Sequence, residues 1–262
     1  MRADVEAEWH VLTTPAGRAL LHEAGHVERP GPADLTRWRR GATAAVVAAA
    51  VRLAECRRRG RAKFARAERM WLEPTGLEQA TAEAVARHKA ARFDGAEVFD
   101  LCCGIGGDGL ALAGVARRVV AVDRDEGMTR RASWNAEVYE VADRLETTVA
   151  AAESVALPPT ALVHIDPDRR AGAGPRARKI AQYQPNLEYL NHLMKTAPGG
   201  AIKLGPASDF EAHFGREGVE TELVSLGGEC KEATAWFGSL ATCRRRATTL
   251  PSGASWTDRD GP

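Results

Sequence analysis

The sequence predicts an α/β fold, a doubly wound, Rossmann-like sheet of seven strands preceded by a small all-α N-terminal domain. Three observations predict it. Beyond Glu97, short apolar runs alternate with Ala- and Leu-rich stretches of helical period, the pattern of crossover units on a parallel sheet. The run ending at Asp100 is followed by Gly104-Ile105-Gly106-Gly107-Asp108-Gly109, an apolar helical stretch, and a second run, Val119 to Val122, ending in Asp123. Before residue 71 the composition is dominated by helix formers and shows no strand alternation. The chain of 262 residues, 44% hydrophobic, is long enough for one large domain with a small one beside it. The expected division is 1–70 helical, 71–251 α/β, and 252–262 a loose polar tail.

The elements follow in order. Residues 1–28 read as helical with a break near Thr13-Thr14-Pro15, because proline opens a helix and does not continue one. Arg29-Pro30-Gly31-Pro32 is a loop, and Asp34 is expected to cap the next helix. The stretch 43–70 reads as helix with a break at Gly60. Pro74-Thr75-Gly76 is a turn, and 77–91 a helix burying Ala80, Ala84 and Val85. Strands are expected at 97–102, 118–123, 145–149, 161–166, 200–205, 220–226 and 232–237, with helices at 107–116, 126–140, 178–197 and 207–215. Pro198-Gly199-Gly200 turns sharply into the fifth strand, and Gly227-Gly228 joins the last two as an antiparallel hairpin. A short further strand is expected at 247–250.

The formal net charge is only +1, yet residues 37–69 carry eleven basic side chains against two acids. Such asymmetry marks either a face for nucleic acid or a solvated helix face. The five cysteines are odd in number and lack zinc-ligand spacing, so no metal site is expected and a reducing, cytoplasmic setting fits. No apolar run approaches the roughly 20 residues of a membrane span, and the first six residues do not resemble a signal peptide.

The glycine cluster formally matches the dinucleotide pattern G-x-G-x-x-G, so a nicotinamide cofactor is the first alternative. Asp100 and Asp108 argue against it, since they place negative charge where a pyrophosphate would need bare helix amides. A carboxylate at Asp100 suits the ammonium of S-adenosylmethionine (SAM) instead. Asp123 can accept both ribose hydroxyls of either cofactor.

The stretches Asp100 to Asp108, Ala121 to Asp125 and Asn135 to Asp143 resemble class I SAM-dependent methyltransferases, and Asn135 to Asp143 is similar to the trimethylguanosine synthase group. Leu72 to Thr81, Asp166 to Arg170 and Glu229 to Gly238 resemble bacterial methyltransferase-like proteins with a THUMP-like C-terminal domain. The resemblance covers roughly 60–250 and implies the seven-stranded methyltransferase sheet. It implies an RNA-binding C-terminal module too, which residues up to Pro262 do not include. It also implies roles. Asp100, Cys102, Gly104, Gly106 and Gly107 would hold the methionine end. Asp123 would bind the ribose, with Arg124 against the adenine, and Thr75 and Gln79 would cover the cofactor. After strand three, where relatives carry an acid for the adenine amine, this chain has Val149-Ala150-Ala151-Ala152-Glu153, which displaces that role to Glu153.

The fourth strand ends in Asp166-Pro167-Asp168-Arg169-Arg170. Amino-methylating relatives carry Asn/Asp-Pro-Pro-aromatic here, and catalysis is largely orientation of the amine lone pair. Asp166 and Pro167 keep that pattern and are the expected catalytic pair. Asp168 and Arg169 replace the second proline and the aromatic ring. Asp168, Arg169, Arg170, Arg176 and Lys179 form the expected substrate-binding set, suited to RNA. The ordinary alternatives are an Asp-Pro turn closing a strand, and a solvated basic loop. Tyr183 and Trp236 are candidate stacking residues, and His164 reads as a satisfied core histidine. The expected function is SAM-dependent methylation of an RNA base amine. The rivals are a methyltransferase for a small molecule or a protein, and an RNA-binding protein that keeps SAM as a structural ligand.

Overall fold

A computed structural model describes residues 3–168 and 179–259. The N-terminal helices form where the punctuation predicts. Helix α1 (Ala3–Thr13) gives way to α2 (Pro15–Gly25) at Thr14, whose Oγ1 accepts the Gly17 N–H at 3.0 Å. Asp34 contributes to the start of α3 (Pro32–Trp38) from inside the first turn, accepting the Gly31 N–H at 3.0 Å; the cap position is Gly31. Helix α4 (Ala44–Gly60) stops at Gly60 and does not run to 70. A Cβ on Gly60 would stand 2.8 Å from Leu72 Cδ1 and 3.2 Å from Ala67 Cβ, so the side chains of the following segment pack closely over this position.

The single helix expected over 77–91 is two, α5 (Pro74–Gln79) and α6 (Glu83–Ala90). Their inward residues are Leu77, Val85 and Ala86; Ala84 is exposed. Then come β1 (Glu97–Leu101), α7 (Gly107–Val115), β2 (Arg118–Asp123), α8 (Glu126–Tyr139), β3 (Leu145–Val149) and β4 (Leu162–Ile165). Helix α9 (Leu187–Thr196) begins only after Pro185, which cannot donate to a helical ladder, and Asn186 Oδ1 accepts the Tyr189 N–H at 3.0 Å. The chain continues through β5 (Gly199–Leu204), α10 (Phe210–Phe214), β6 (Val219–Leu226), β7 (Glu229–Gly238), β8 (Arg245–Leu250) and β9 (Ala254–Thr257).

The sheet has nine strands in the order β3-β2-β1-β4-β5-β7-β6-β8-β9. The seven expected strands are present, with β7 antiparallel to both neighbours. Strands β8 and β9 extend the sheet. Strand β8 pairs parallel with β6, and β9 turns back along it, pairing Ala247 with Trp256. Part of the stretch expected to be loose, 252–262, is therefore strand. The order runs outward from β1 in one direction and from β4 in the other. The carboxyl ends of these two strands thus flank a topological switch point, where ligands bind in open α/β sheets.

One hydrophobic core is shared by the helical region and one face of the sheet; it includes Val11, Leu53, Trp71, Ile105 and Ala136. Buried Glu8 fastens the two, accepting from Trp71 Nε1 (2.7 Å), Arg131 (2.6 Å) and Arg52 (3.4 Å).

Candidate active site

A cavity of about 370 Å³ opens at the switch point, walled by the β1–α7 loop, the ends of β2 and β4, and the end of α5. The loop reaches it through left-handed steps at Cys102 (φ 61°), Gly104 (φ 55°) and Gly106 (φ 89°). Gly104 N–H donates to Asp123 Oδ2 and Asp125 N–H to Asp123 Oδ1, each at 2.9 Å, so the loop is tied to the end of β2. Burial pushes the Asp123 carboxyl up, and these two N–H donors oppose the push.

The expected cofactor residues divide. Asp100, Cys102, Gly104, Gly107, Asp123, Arg124, Gln79 and Glu153 line the cavity. Gly106 does not: a Cβ there would meet Ala132 of α8 at 3.3 Å, so its glycine serves the turn and the packing of that helix. Thr75 does not either. It lies exposed in the first turn of α5, and the cover over the cavity comes from Gln79, Ala80 and Thr81 at the other end of that helix. Glu153 lines the cavity as an exposed residue after β3, while Met128 and Ala152 supply apolar wall. Arg124 is also exposed, its guanidinium 3.8 Å from Asp168 across the rim.

Asp108 is not a helix cap. It is buried, accepts from Thr81 Oγ1 at 2.6 Å, and lies 2.8 Å from Lys89 Nζ. Burial alone would raise its carboxyl; the Lys89 ammonium outweighs this and holds it well below the usual range. Asp100 is buried, with Oδ1 2.7 Å from His164 Nδ1 and Oδ2 unpartnered among the described residues. His164 is a core histidine, as expected. Burial lifts the thiols of Cys102 and Cys103 well above their ordinary values, so both stay protonated and inert.

At the reaction end, Asp166 is half-buried and Pro167 buried, and both line the cavity. Asp168 and Gln184 exchange backbone hydrogen bonds (2.7 and 3.0 Å), which brings Gln184 and Pro185 into the same wall. Lys203 of β5, almost fully buried, sits 2.5 Å from Asp166 Oδ2 and 3.9 Å from Asp108. Sequence reasoning missed Lys203. The signal was present: a lone lysine inside the apolar strand Ala201-Ile202-Lys203-Leu204 requires a buried counter-charge. Lys179 is exposed and does not line the cavity. Arg169, Arg170 and Arg176 lie outside the described residues. Tyr183 and Trp236 are fully buried, the Tyr183 hydroxyl accepting from Gly205 N–H (3.3 Å) and Trp236 Nε1 donating to Glu222 (2.8 Å), so neither is a stacking platform. Among the described residues no group of His, Cys, Asp or Glu could hold a metal ion, and no helix is long and apolar enough to cross a membrane.

The residues fit SAM. Asp100, whose buried Oδ2 is unpartnered among the described residues, and the Asp123 carboxylate both line the cavity, and apolar Met128 and Ala152 flank the remaining space. A glycine loop after the first strand, an acid ending the second, and a cavity at the switch point form a nucleoside-cofactor site in an open α/β sheet. The comparisons agree. A family model described as RNA cap guanine-N2 methyltransferase matches residues 95–193, and a domain of unknown function matches 6–60. Uncharacterized SAM-dependent methyltransferases of two Mycobacterium tuberculosis strains, CDC 1551 / Oshkosh and ATCC 25618 / H37Rv, are 39% identical over 183 residues, 68% of this chain and 49% of theirs. The chain therefore spans about half the length of the curated relatives it matches. The crystal structure of a candidate methyltransferase from Porphyromonas gingivalis W83 has the same fold, with a TM-score of 0.71 at 18% identity over 96% of this chain and 66% of that one.

Proposed function

We propose that this chain binds SAM and methylates a base amine of RNA, oriented by Asp166. The observation that carries the reading is the Asp166 carboxylate at the carboxyl end of β4, in the wall of the cavity, with Oδ2 held by Lys203 and Oδ1 without a partner among the described residues. A fixed carboxylate accepts and cannot donate, so Oδ1 suits an N–H of an approaching amine. The cofactor supplies a methyl group on a sulfonium. The work of the chain is to point the nitrogen lone pair along that bond. With the cofactor bound, its sulfonium would supply the methyl group and keep the C–S electron pair, and Asp166 would be placed to take the nitrogen's proton. Asp100, Asp123, Glu153 and Asp168 add negative charge around the cavity, which repels a phosphate from the reactive end. An RNA backbone would then run outside the cavity. The matched cap-methyltransferase model over 95–193 supports a base amine as target.

A second reading is an RNA-binding protein that keeps SAM without transferring its methyl group. It is favoured by the reaction end, where among the described residues no aromatic ring lines the cavity, Tyr183 is buried and Arg169 stands in the motif. Label transfer from SAM to cellular RNA, protein and small-molecule extracts separates the two, with nucleoside mass spectrometry to identify the product. Asp166→Ala is expected to lower transfer to RNA by about 100-fold while S-adenosylhomocysteine affinity stays within a few fold. Wild-type protein that binds the cofactor yet labels nothing would replace our reading with the second.

A further inference from the structure

Behind the cavity lies a line of buried polar groups that the reaction above does not use. Lys89 of α6 is 1% exposed. Its Nζ stands 2.8 Å from Asp108 Oδ1, 2.8 Å from Glu232 Oε1 and 3.4 Å from His164 Nε2. An ammonium group has three donors and no acceptor, so His164 Nε2 must accept. The imidazole proton therefore sits on Nδ1, where it is donated to Asp100 Oδ1 at 2.7 Å. Asp100, also 1% exposed, lines the cavity, and its second oxygen is buried and unpartnered among the described residues. Room for that oxygen comes from Gly109, where a Cβ would lie 2.7 Å from it.

Charge around Asp100 points the same way. The groups facing it are His164 on β4, Asp108 on α7 and Lys89 on α6, with the protonated thiols of Cys102 and Cys103 alongside. One ammonium serves Asp108, Glu232 and, through the imidazole, Asp100. Three carboxylates thus share that ammonium, with Lys203, itself 2.5 Å from Asp166, standing 3.9 Å from Asp108. Burial pushes the Asp100 carboxyl up, and the His164 hydrogen bond opposes that push.

We infer that Lys89 and His164 are positioning residues for cofactor binding: by fixing the imidazole proton on Nδ1, they hold Asp100 in one orientation as acceptor for the cofactor's amino-acid ammonium. The inference rests on the SAM-binding reading but not on methyl transfer. Calorimetry with two probes tests it. S-adenosylhomocysteine carries the amino-acid end, and 5′-methylthioadenosine lacks it. His164→Leu is expected to weaken S-adenosylhomocysteine by about tenfold or more, the scale of one charge-assisted hydrogen bond, and to leave 5′-methylthioadenosine within about twofold. His164→Asn, whose amide N–H takes the place of Nδ1, should restore S-adenosylhomocysteine to within about threefold of wild type. Should the Leu variant fail to fold, His164→Gln takes its place, since its amide reaches the Nε2 position and not Nδ1. Equal loss of both probes would mean a merely structural histidine and overturn the inference, as would unchanged affinity. Wild-type protein that binds neither probe would overturn the cofactor reading, and this inference with it.

Discussion

Asp123 shows what one residue does at this site. Each oxygen already accepts a backbone N–H at 2.9 Å, from Gly104 and from Asp125, and each retains capacity for a ribose hydroxyl. Asp123→Ala is expected to weaken S-adenosylhomocysteine by about 1–3 kcal/mol, from the lost acceptor and the loosened loop together. The pH dependence has a definite sign. Burial raises this carboxyl, so falling pH neutralises it earlier than an ordinary aspartate, and cofactor affinity declines on the acid side. Calorimetry at pH 7.5 and 5 should show the decline, and Asp123→Asn should show less of it. Asp100, Gly104, Gly107 and Asp123 were legible in the sequence because a glycine loop between strand and helix can be held by few arrangements. Thr75 and Gly106 were misplaced because their neighbourhood depends on where α5 and α8 settle. Lys203 went unread because its partners, Asp166 and Asp108, lie 37 and 95 positions away.

Helix α6 shows how an element is fixed by charge. It and the turn after it present His88, Lys89 and Arg92 to acids buried on the sheet. His88 stands 2.7 Å from Glu222, Lys89 reaches Glu232, and Arg92 donates to Glu220 at 2.6 Å while lying 4.1 Å over the Trp236 ring. Burial would raise the Glu220 carboxyl. The hydrogen bonds from Arg92, Arg246 and Thr242 outweigh it and hold the group down at about 2. A depressed carboxyl stabilises the fold above its unfolded value and loses that contribution as pH falls towards the folded one. Wild type should therefore lose stability between about pH 5 and 2. Glu220→Gln should show a flatter stability profile across that window in denaturant titrations. The break between α5 and α6 was not legible in the sequence, because Ala80-Thr81-Ala82 carries no helix breaker. Tertiary contacts make it. Lys63 Nζ donates to the carbonyls of Leu77, Glu78 and Ala80 at 2.8, 3.0 and 2.8 Å, satisfying the end of α5, and Thr81 Oγ1 turns to Asp108.

At the scale of the whole molecule, the basic stretch 37–69 divides between the fold and the solvent. Arg57 donates to the Met70 carbonyl (2.9 Å) and the Arg69 carbonyl (3.1 Å), Arg58 to those of Ala24 and Glu28, and Arg66 to that of Val138 (2.6 Å). Arg52 joins the buried Glu8 knot that fastens the helices to the sheet domain. Arg39 and Arg40 are exposed and without a partner among the described residues. Replacing Arg57 and Arg58 by Gln is expected to lower the melting temperature and leave the salt dependence of RNA binding unchanged. Replacing Arg39 and Arg40 by Gln should leave the melting temperature alone and flatten the log–log salt slope by about one for each phosphate no longer neutralised. The opposite pattern would assign phosphate binding to the α4 arginines.

The sequence by itself determined the parallel half of the sheet, the switch-point loop and the acids at the ends of the first two strands. These follow from local period and from glycine, which act over a few residues. The tertiary structure alone decided the last strand, β9, the split of α5 from α6, the internal role of part of the basic stretch, and the buried network of Lys89, His164, Asp108, Lys203 and Asp166. Each depends on which distant charge or backbone group a side chain meets on burial, and a buried charge takes its meaning from its partner, not from its position in the chain.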